Sequence, residues 1–99
     1  MQNDRNFKEG DLVKHFKREL VEDKNSNDFI YRIITFAKST YNGEILVIYQ
    51  GLYSPFDIWA RPMSEFESEV DKNKYPDIKQ KYRFVKIDRY GAYDWFHFK

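Results

Sequence analysis

Phe29-Ile30-Tyr31-Arg32-Ile33-Ile34-Thr35-Phe36-Ala37-Lys38, then Ser39-Thr40-Tyr41-Asn42-Gly43-Glu44, then Ile45-Leu46-Val47-Ile48-Tyr49-Gln50, is the stretch that decides the fold. The two outer runs are rich in β-branched and aromatic residues, which favour strands. Asn42-Gly43 between them suits a two-residue type I′ turn, because that turn needs positive φ at both central positions. Such a turn sets Tyr41 opposite Glu44, Phe36 opposite Tyr49, Ala37 opposite Ile48 and Ile33 opposite Leu52. One face then carries Tyr31, Ile33, Ala37, Leu46, Ile48 and Leu52, and the other Ile30, Ile34, Phe36, Ile45, Val47 and Tyr49. Both faces are apolar, whereas a sheet with one wet face alternates cleanly. The hairpin is therefore expected at the centre of a curled sheet or beneath another element.

On the N-terminal side, Gly10-Asp11 opens Leu12-Val13-Lys14-His15-Phe16-Lys17, which reads as a first strand. Residues 18–28 are highly charged and end in Asn25-Ser26-Asn27-Asp28, so they read as a long exposed hairpin loop. On the C-terminal side, Asp57-Ile58-Trp59-Ala60-Arg61 makes a short strand. Pro62 stops it, since proline cannot donate to a ladder, and also suits the first turn of a helix. Ser64 to Glu67 then makes one helical turn, with Met63 and Phe66 packed inward. Lys72 to Gln80, with Tyr75-Pro76-Asp77, is a loop, and Tyr82 to Ile87 a last strand. The expected fold is mostly β, a small barrel or sandwich of about five strands with one short helical turn.

The chain has 99 residues, which suits one domain. Its divisions are a flexible lead-in over 1–9, a folded domain over 10–87 and an aromatic extension over 88–99. Nine Phe, eight Tyr and two Trp are more rings than one small core needs, so some are expected at a surface or groove. The extension holds Tyr90, Tyr93, Trp95, Phe96 and Phe98 and is expected to pack on the domain or on a second copy, as a homodimer. With no cysteine, a disulfide scaffold and a cysteine zinc site are excluded. A net charge of +1 argues against duplex nucleic acid as a partner. No apolar run approaches the roughly 20 residues of a membrane span. The polar stretch Met1 to Lys8 makes a cytoplasmic location the default.

Gly10, Val13-Lys14-His15-Phe16-Lys17, Tyr31-Arg32-Ile33, Ala37, Val47-Ile48-Tyr49-Gln50, Leu52-Tyr53, Trp59-Ala60-Arg61-Pro62 and Phe66 form one pattern. It resembles the small bacterial family called domain of unknown function 1653, over about Phe7 to Ile87. The resemblance implies an SH3-type β-barrel and no particular activity. Three departures stand out: residues 18–27 enlarge a usually short hairpin, Ser39 stands where a His is common, and Ser54 where a Gly usually follows Leu-Tyr. Any site must therefore use residues present here, namely His15, Tyr49, Tyr53, Trp59 and Arg61.

His15 and His97 share no ligand spacing, so no metal site and no cofactor is expected. There is no P-loop, dinucleotide fingerprint or nucleophile elbow. On a strand, residues i and i+2 share a face, so Asp57, Trp59 and Arg61 are expected to project together. An indole beside a guanidinium can hold an anion or a planar group. Tyr49, Tyr53, Phe56 and Trp59 make an aromatic groove of the kind that takes peptides, cations or bases. The leading expectation is a non-enzymatic binding module for a peptide or a small anionic or planar ligand, using Tyr49, Tyr53, Trp59, Arg61, His15 and Asp57. One alternative is a small hydrolase or nucleotide-processing enzyme built on His15, Asp57 and Arg61. Another is a single-stranded nucleic-acid binder along Lys72 to Arg89, which carries seven basic residues against Asp77 and Asp88.

Overall fold

The computed structural model describes residues 6–87. Strands β1 (Leu12–His15), β2 (Ile30–Lys38), β3 (Ile45–Gly51), β4 (Ile58–Pro62) and β5 (Phe84–Ile87) form one sheet in the order β4-β3-β2-β1-β5. All neighbouring pairs are antiparallel. A helical turn, α1 (Met63–Phe66), follows β4 directly, and a 3-10 helix covers Phe16–Leu20. The mostly β architecture of five strands and one short α-helical turn is thus as expected.

Barrel closure is not. β4 and β5 are the two edges, and no ladder joins them among the described residues. The sheet is nonetheless strongly curled. With strands about 4.8 Å apart, the three steps from β3 to β5 span about 14 Å in a flat sheet. Yet the rings of Tyr49 on β3 and Phe84 on β5 have centroids 5.3 Å apart. The gap between the edges is occupied by α1, whose Phe66 is fully buried. Phe66 stacks on Phe84 at 4.1 Å, nearly parallel, and meets Phe7 edge-on at 5.2 Å. Around them lie Val13, Tyr31, Ile33, Val47 and Tyr49, the main core.

The central hairpin corrects the expected turn. Ser39 N–H donates to the Glu44 carbonyl at 2.9 Å, and Gly43 N–H to the Ser39 carbonyl at 2.8 Å. The loop is therefore Thr40–Gly43, with Gly43 at φ 75° and the Asn42 side chain accepting from Glu44 N–H at 3.0 Å. Phe36 faces Val47 and Ala37 faces Leu46, two residues away from the expected partners. A register shift between Ile33 and Thr35 also leaves Ile34 out of the ladder as a bulge. The bulge changes the phase of the alternation. Tyr31 and Ile33 before it, and Phe36 after it, can then share the core face with Val47 and Tyr49, while Ile34 is exposed. This is why no single register yields one apolar and one polar face.

The first strand ends at His15, and the segment after it is a folded link rather than a free loop. Arg18 is buried and donates to the carbonyls of Asp28 and Lys24, both at 2.9 Å. Phe16 joins Val70 and Ile78 in a second small core, with Tyr75 against it. The Glu19 carboxylate accepts backbone N–H bonds from Lys79 (2.9 and 3.1 Å) and Gln80 (2.7 Å), fastening the 72–80 loop to the 3-10 helix. The aromatic extension from Tyr90 to Phe98 lies outside the described residues. Among the described residues, no helix is long and apolar enough to cross a membrane.

Candidate functional site

β4 is an edge strand paired only with β3, where Trp59 faces Tyr49 and Arg61 faces Val47. Directly opposed residues share a face. Trp59 and Arg61 therefore stand on the core side of the sheet, but at its rim, and the indole remains half exposed. On the other flank, His15 at the end of β1 faces Phe84 on β5. The curl of the sheet brings these flanks together around a cleft of about 190 Å3. Its walls are Phe29, Tyr31, Tyr49, Trp59 and Phe84, and its polar groups belong to His15, Lys17 and Arg61. A second cavity of about 350 Å3 adjoins it, sharing His15, Lys17 and Arg61 and adding Asp71, Lys74, Tyr75 and Arg83.

The cations of this region are incompletely neutralised. Arg61 donates through Nε to the Tyr49 hydroxyl (3.1 Å) and through Nη1 to Glu65 (3.4 Å). Arg83 donates through Nε to the Glu65 carbonyl (3.1 Å) and the Ser68 hydroxyl (3.2 Å). The ammonium groups of Lys17 and Lys74 lie 5.8 and 5.6 Å from the Tyr75 ring centroid. Among the described residues, no carboxylate lies within 4.0 Å of Lys17, Lys74 or Arg83. Asp71, the acidic residue of the larger cavity, has Oδ1 turned to the backbone N–H groups of Asn73 (3.0 Å) and Lys74 (3.3 Å).

His15 registers this field. Burial, and then the charges of Arg83, Lys17 and Arg61, lower its pKa from 6.5 to about 3. The ring is therefore neutral at pH 7. Its Nδ1 accepts from Lys17 N–H at 3.1 Å, so Nε2 carries the proton. A tilted contact with Phe16 (4.3 Å) and an edge contact with Phe84 (5.0 Å) hold the ring in place. Such an imidazole can donate a hydrogen bond but is a weak general base.

Four of the six expected site residues, His15, Tyr49, Trp59 and Arg61, line the same cleft. Tyr53 stands behind it. Its hydroxyl bonds that of Tyr31 at 2.7 Å, and burial followed by this hydrogen bond pushes the Tyr31 hydroxyl far above its ordinary range. Gly51 permits that placement, because a Cβ there would stand 3.1 Å from the Tyr53 ring. Asp57 does not join the others. It immediately precedes β4, where its carbonyl accepts from Gly51 N–H, and it lines neither of the two cavities. Phe56 is exposed, away from the cleft lining. The set that a hydrolytic reading would use, His15, Asp57 and Arg61, thus does not come together in either of these two cavities among the described residues.

The basic stretch from Lys72 is dispersed. Lys72 donates to the carbonyls of Ile78 and Gln80, Lys86 pairs with Asp11 at 3.2 Å, and Lys81 sits over the Tyr82 ring. Arg89 lies outside the described residues. Lys74 and Arg83 are the members that reach the larger cavity beside the cleft. The sequence places Tyr31 on an apolar face of the hairpin and Phe84 on the last strand, and does not single out Lys17 or Phe29. No local spacing marks them, since each arrives from a different element.

Residues 11–86 match the family described as protein of unknown function (DUF1653). The chain belongs to this family. No curated protein and no solved structure matches it. All the cleft residues of this DUF1653 chain, from His15 to Phe84, fall inside the matched segment.

Proposed function

We propose that this DUF1653 domain is a non-enzymatic binding module whose cleft takes a small anionic ligand. The observation that carries the reading is the convergence of Lys17, Arg61, Lys74 and Arg83 on adjoining cavities where only Arg61 has a carboxylate partner among the described residues. Cations gathered in a partly enclosed cleft repel one another and attract an anion, more strongly than the same charges in open water. The charges of Arg83, Lys17 and Arg61 add to burial in lowering the His15 pKa, in keeping with that field.

The test is a titration with inorganic phosphate, followed by amide chemical shifts. Saturable shifts should concentrate near residues 15–17, 61, 71–75 and 83 and weaken as salt is raised. Arg61→Ala should remove most of the binding. Its melting temperature should change little, because an ion pair this exposed contributes roughly 0–1 kcal/mol. Shifts spread over all surface lysines, or a large loss of stability in Arg61→Ala, would overturn the reading.

A further inference from the structure

The two cavities differ in chemistry and meet at His15, Lys17 and Arg61. The smaller is walled by five rings, the larger by cations. Trp59 offers a half-exposed indole that stacks on no other ring among the described residues. We propose that the site takes a two-part ligand, a planar ring against Trp59 joined by a short link to a phosphate monoester held by Arg61, Lys17 and Arg83. This rests on the anion-binding reading above and extends it to the whole ligand.

Three observations set this ligand class. First, Trp59 and Arg61 leave the same face of β4 two residues apart, so their backbone anchors are about 7 Å apart. That spacing suits a ring and an anion separated by a few bonds. Second, the charge count favours a dianion. Lys17, Arg61, Lys74 and Arg83 face Asp71 and the partly exposed Glu65. A phosphate monoester carries about −1.5 to −2 charges at neutral pH and accepts forked guanidinium bonds. The Arg61 Nη2 has no bond among the described residues and is free to complete such a fork. Third, the ring compartment offers few groups that could read the edge of a ring. The Tyr31 hydroxyl is bonded to Tyr53 and the Tyr49 hydroxyl accepts from Arg61. Ring identity should therefore matter less than having a ring.

Phe29 supports the aromatic compartment. It lines the cleft from a backbone φ of 65°, a region that costs an L-residue roughly 1–2 kcal/mol. Its ring lies 5.9 Å from His15 and 6.0 Å from Tyr53.

The experiment compares dissociation constants for inorganic phosphate, phenyl phosphate, adenosine 5′-monophosphate, uridine 5′-monophosphate and adenosine. Stacking of a base on one aromatic side chain strengthens binding by a factor of about 5 to 150, so phenyl phosphate and the two nucleotides should bind more tightly than phosphate by a factor in that range. Adenosine, without the anion, should bind far more weakly than its monophosphate. Trp59→Ala should shrink the advantage of phenyl phosphate over phosphate toward unity, whereas Trp59→Phe should restore part of it. Trp59 is half exposed on an edge strand, and circular dichroism checks that both variants fold. Equal affinity of phosphate and phenyl phosphate would overturn the two-part ligand while leaving the anion site standing. Absence of binding by every phosphate would overturn both. Tighter binding of the two nucleotides than of phenyl phosphate identifies a nucleotide as the source, and equal binding identifies a simpler aryl phosphate.

Discussion

At the scale of single residues, His15 shows how a fold sets the chemistry of a side chain. Nothing in Lys14-His15-Phe16 distinguishes this histidine from any strand histidine. Enclosure by Phe16, Phe29 and Phe84, with Arg83, Lys17 and Arg61 nearby, takes its pKa to about 3. The unfolded chain binds this proton near pH 6.5, so between pH 6.5 and 3 the unfolded state holds more protons. Stability from His15 is thus complete above pH 6.5 and lost as the pH falls. Urea unfolding should show a midpoint that drops from pH 7 to pH 5, approaching a slope of about 1.4 kcal/mol per pH unit for one proton. His15→Asn keeps an acceptor for Lys17 N–H and cannot titrate, so its profile should be flatter over that range. An unchanged slope would show that another group is responsible. Trp59 and Arg61 were legible as a pair because alternation on a strand is local. Lys17 and Arg83 were not, because only the curl of the sheet brings them to the same cavity beside the cleft.

At the scale of elements, the sequence located every strand within a few residues and mistook one turn. Asn42-Gly43 does mark the hairpin, but glycine at positive φ serves a four-residue loop as well as a two-residue one. The ladder, with the bulge at Ile34, decided between them by placing Val47 and Tyr49 inward. The charged link after β1 was harder to read, since its order depends on distant partners. Glu19 and the amides of Lys79 and Gln80 are 60 and 61 residues apart in sequence. Burial acts to raise the pKa of this carboxyl. The N–H groups of Lys79 and Gln80, with Lys14 and Lys72, outweigh it and hold the carboxyl below its ordinary range. Its contribution is therefore present above the ordinary carboxylate range and lost in acid. Glu19→Gln should cost about 1 kcal/mol. Exchange of the Lys79 and Gln80 amides should quicken more than that of the β2–β3 ladder. Equal protection of these amides in both proteins would mean that the loop is held by Phe16, Val70 and Ile78 alone.

At the scale of the whole molecule, Phe66 is the piece on which the fold turns. It comes from a helical turn of four residues, too short to persist alone, and fills the space between the sheet edges. Removing a fully buried phenylalanine typically costs about 3–5 kcal/mol, against roughly 5–15 kcal/mol of total stability for a domain. Phe66→Ala should therefore lower the melting temperature severely, and at unfolding conditions near the midpoint it should populate the unfolded chain. A variant that melts within a few degrees of the parent would mean that the core collapses around the vacancy.

The sequence by itself determined the class of fold, the positions of the strands, the helical turn after Pro62 and the pairing of Trp59 with Arg61 on one face. These follow from composition and from the two-residue period of a strand, which act over short stretches of chain. Only the tertiary structure decided that the sheet curls without closing, that Ile34 bulges, that Asp57 stands apart, and that Lys17, Lys74 and Arg83 share the larger cavity beside the cleft. Those outcomes depend on packing between residues distant in sequence, above all Tyr49, Phe66 and Phe84, and no local pattern encodes where such rings will meet.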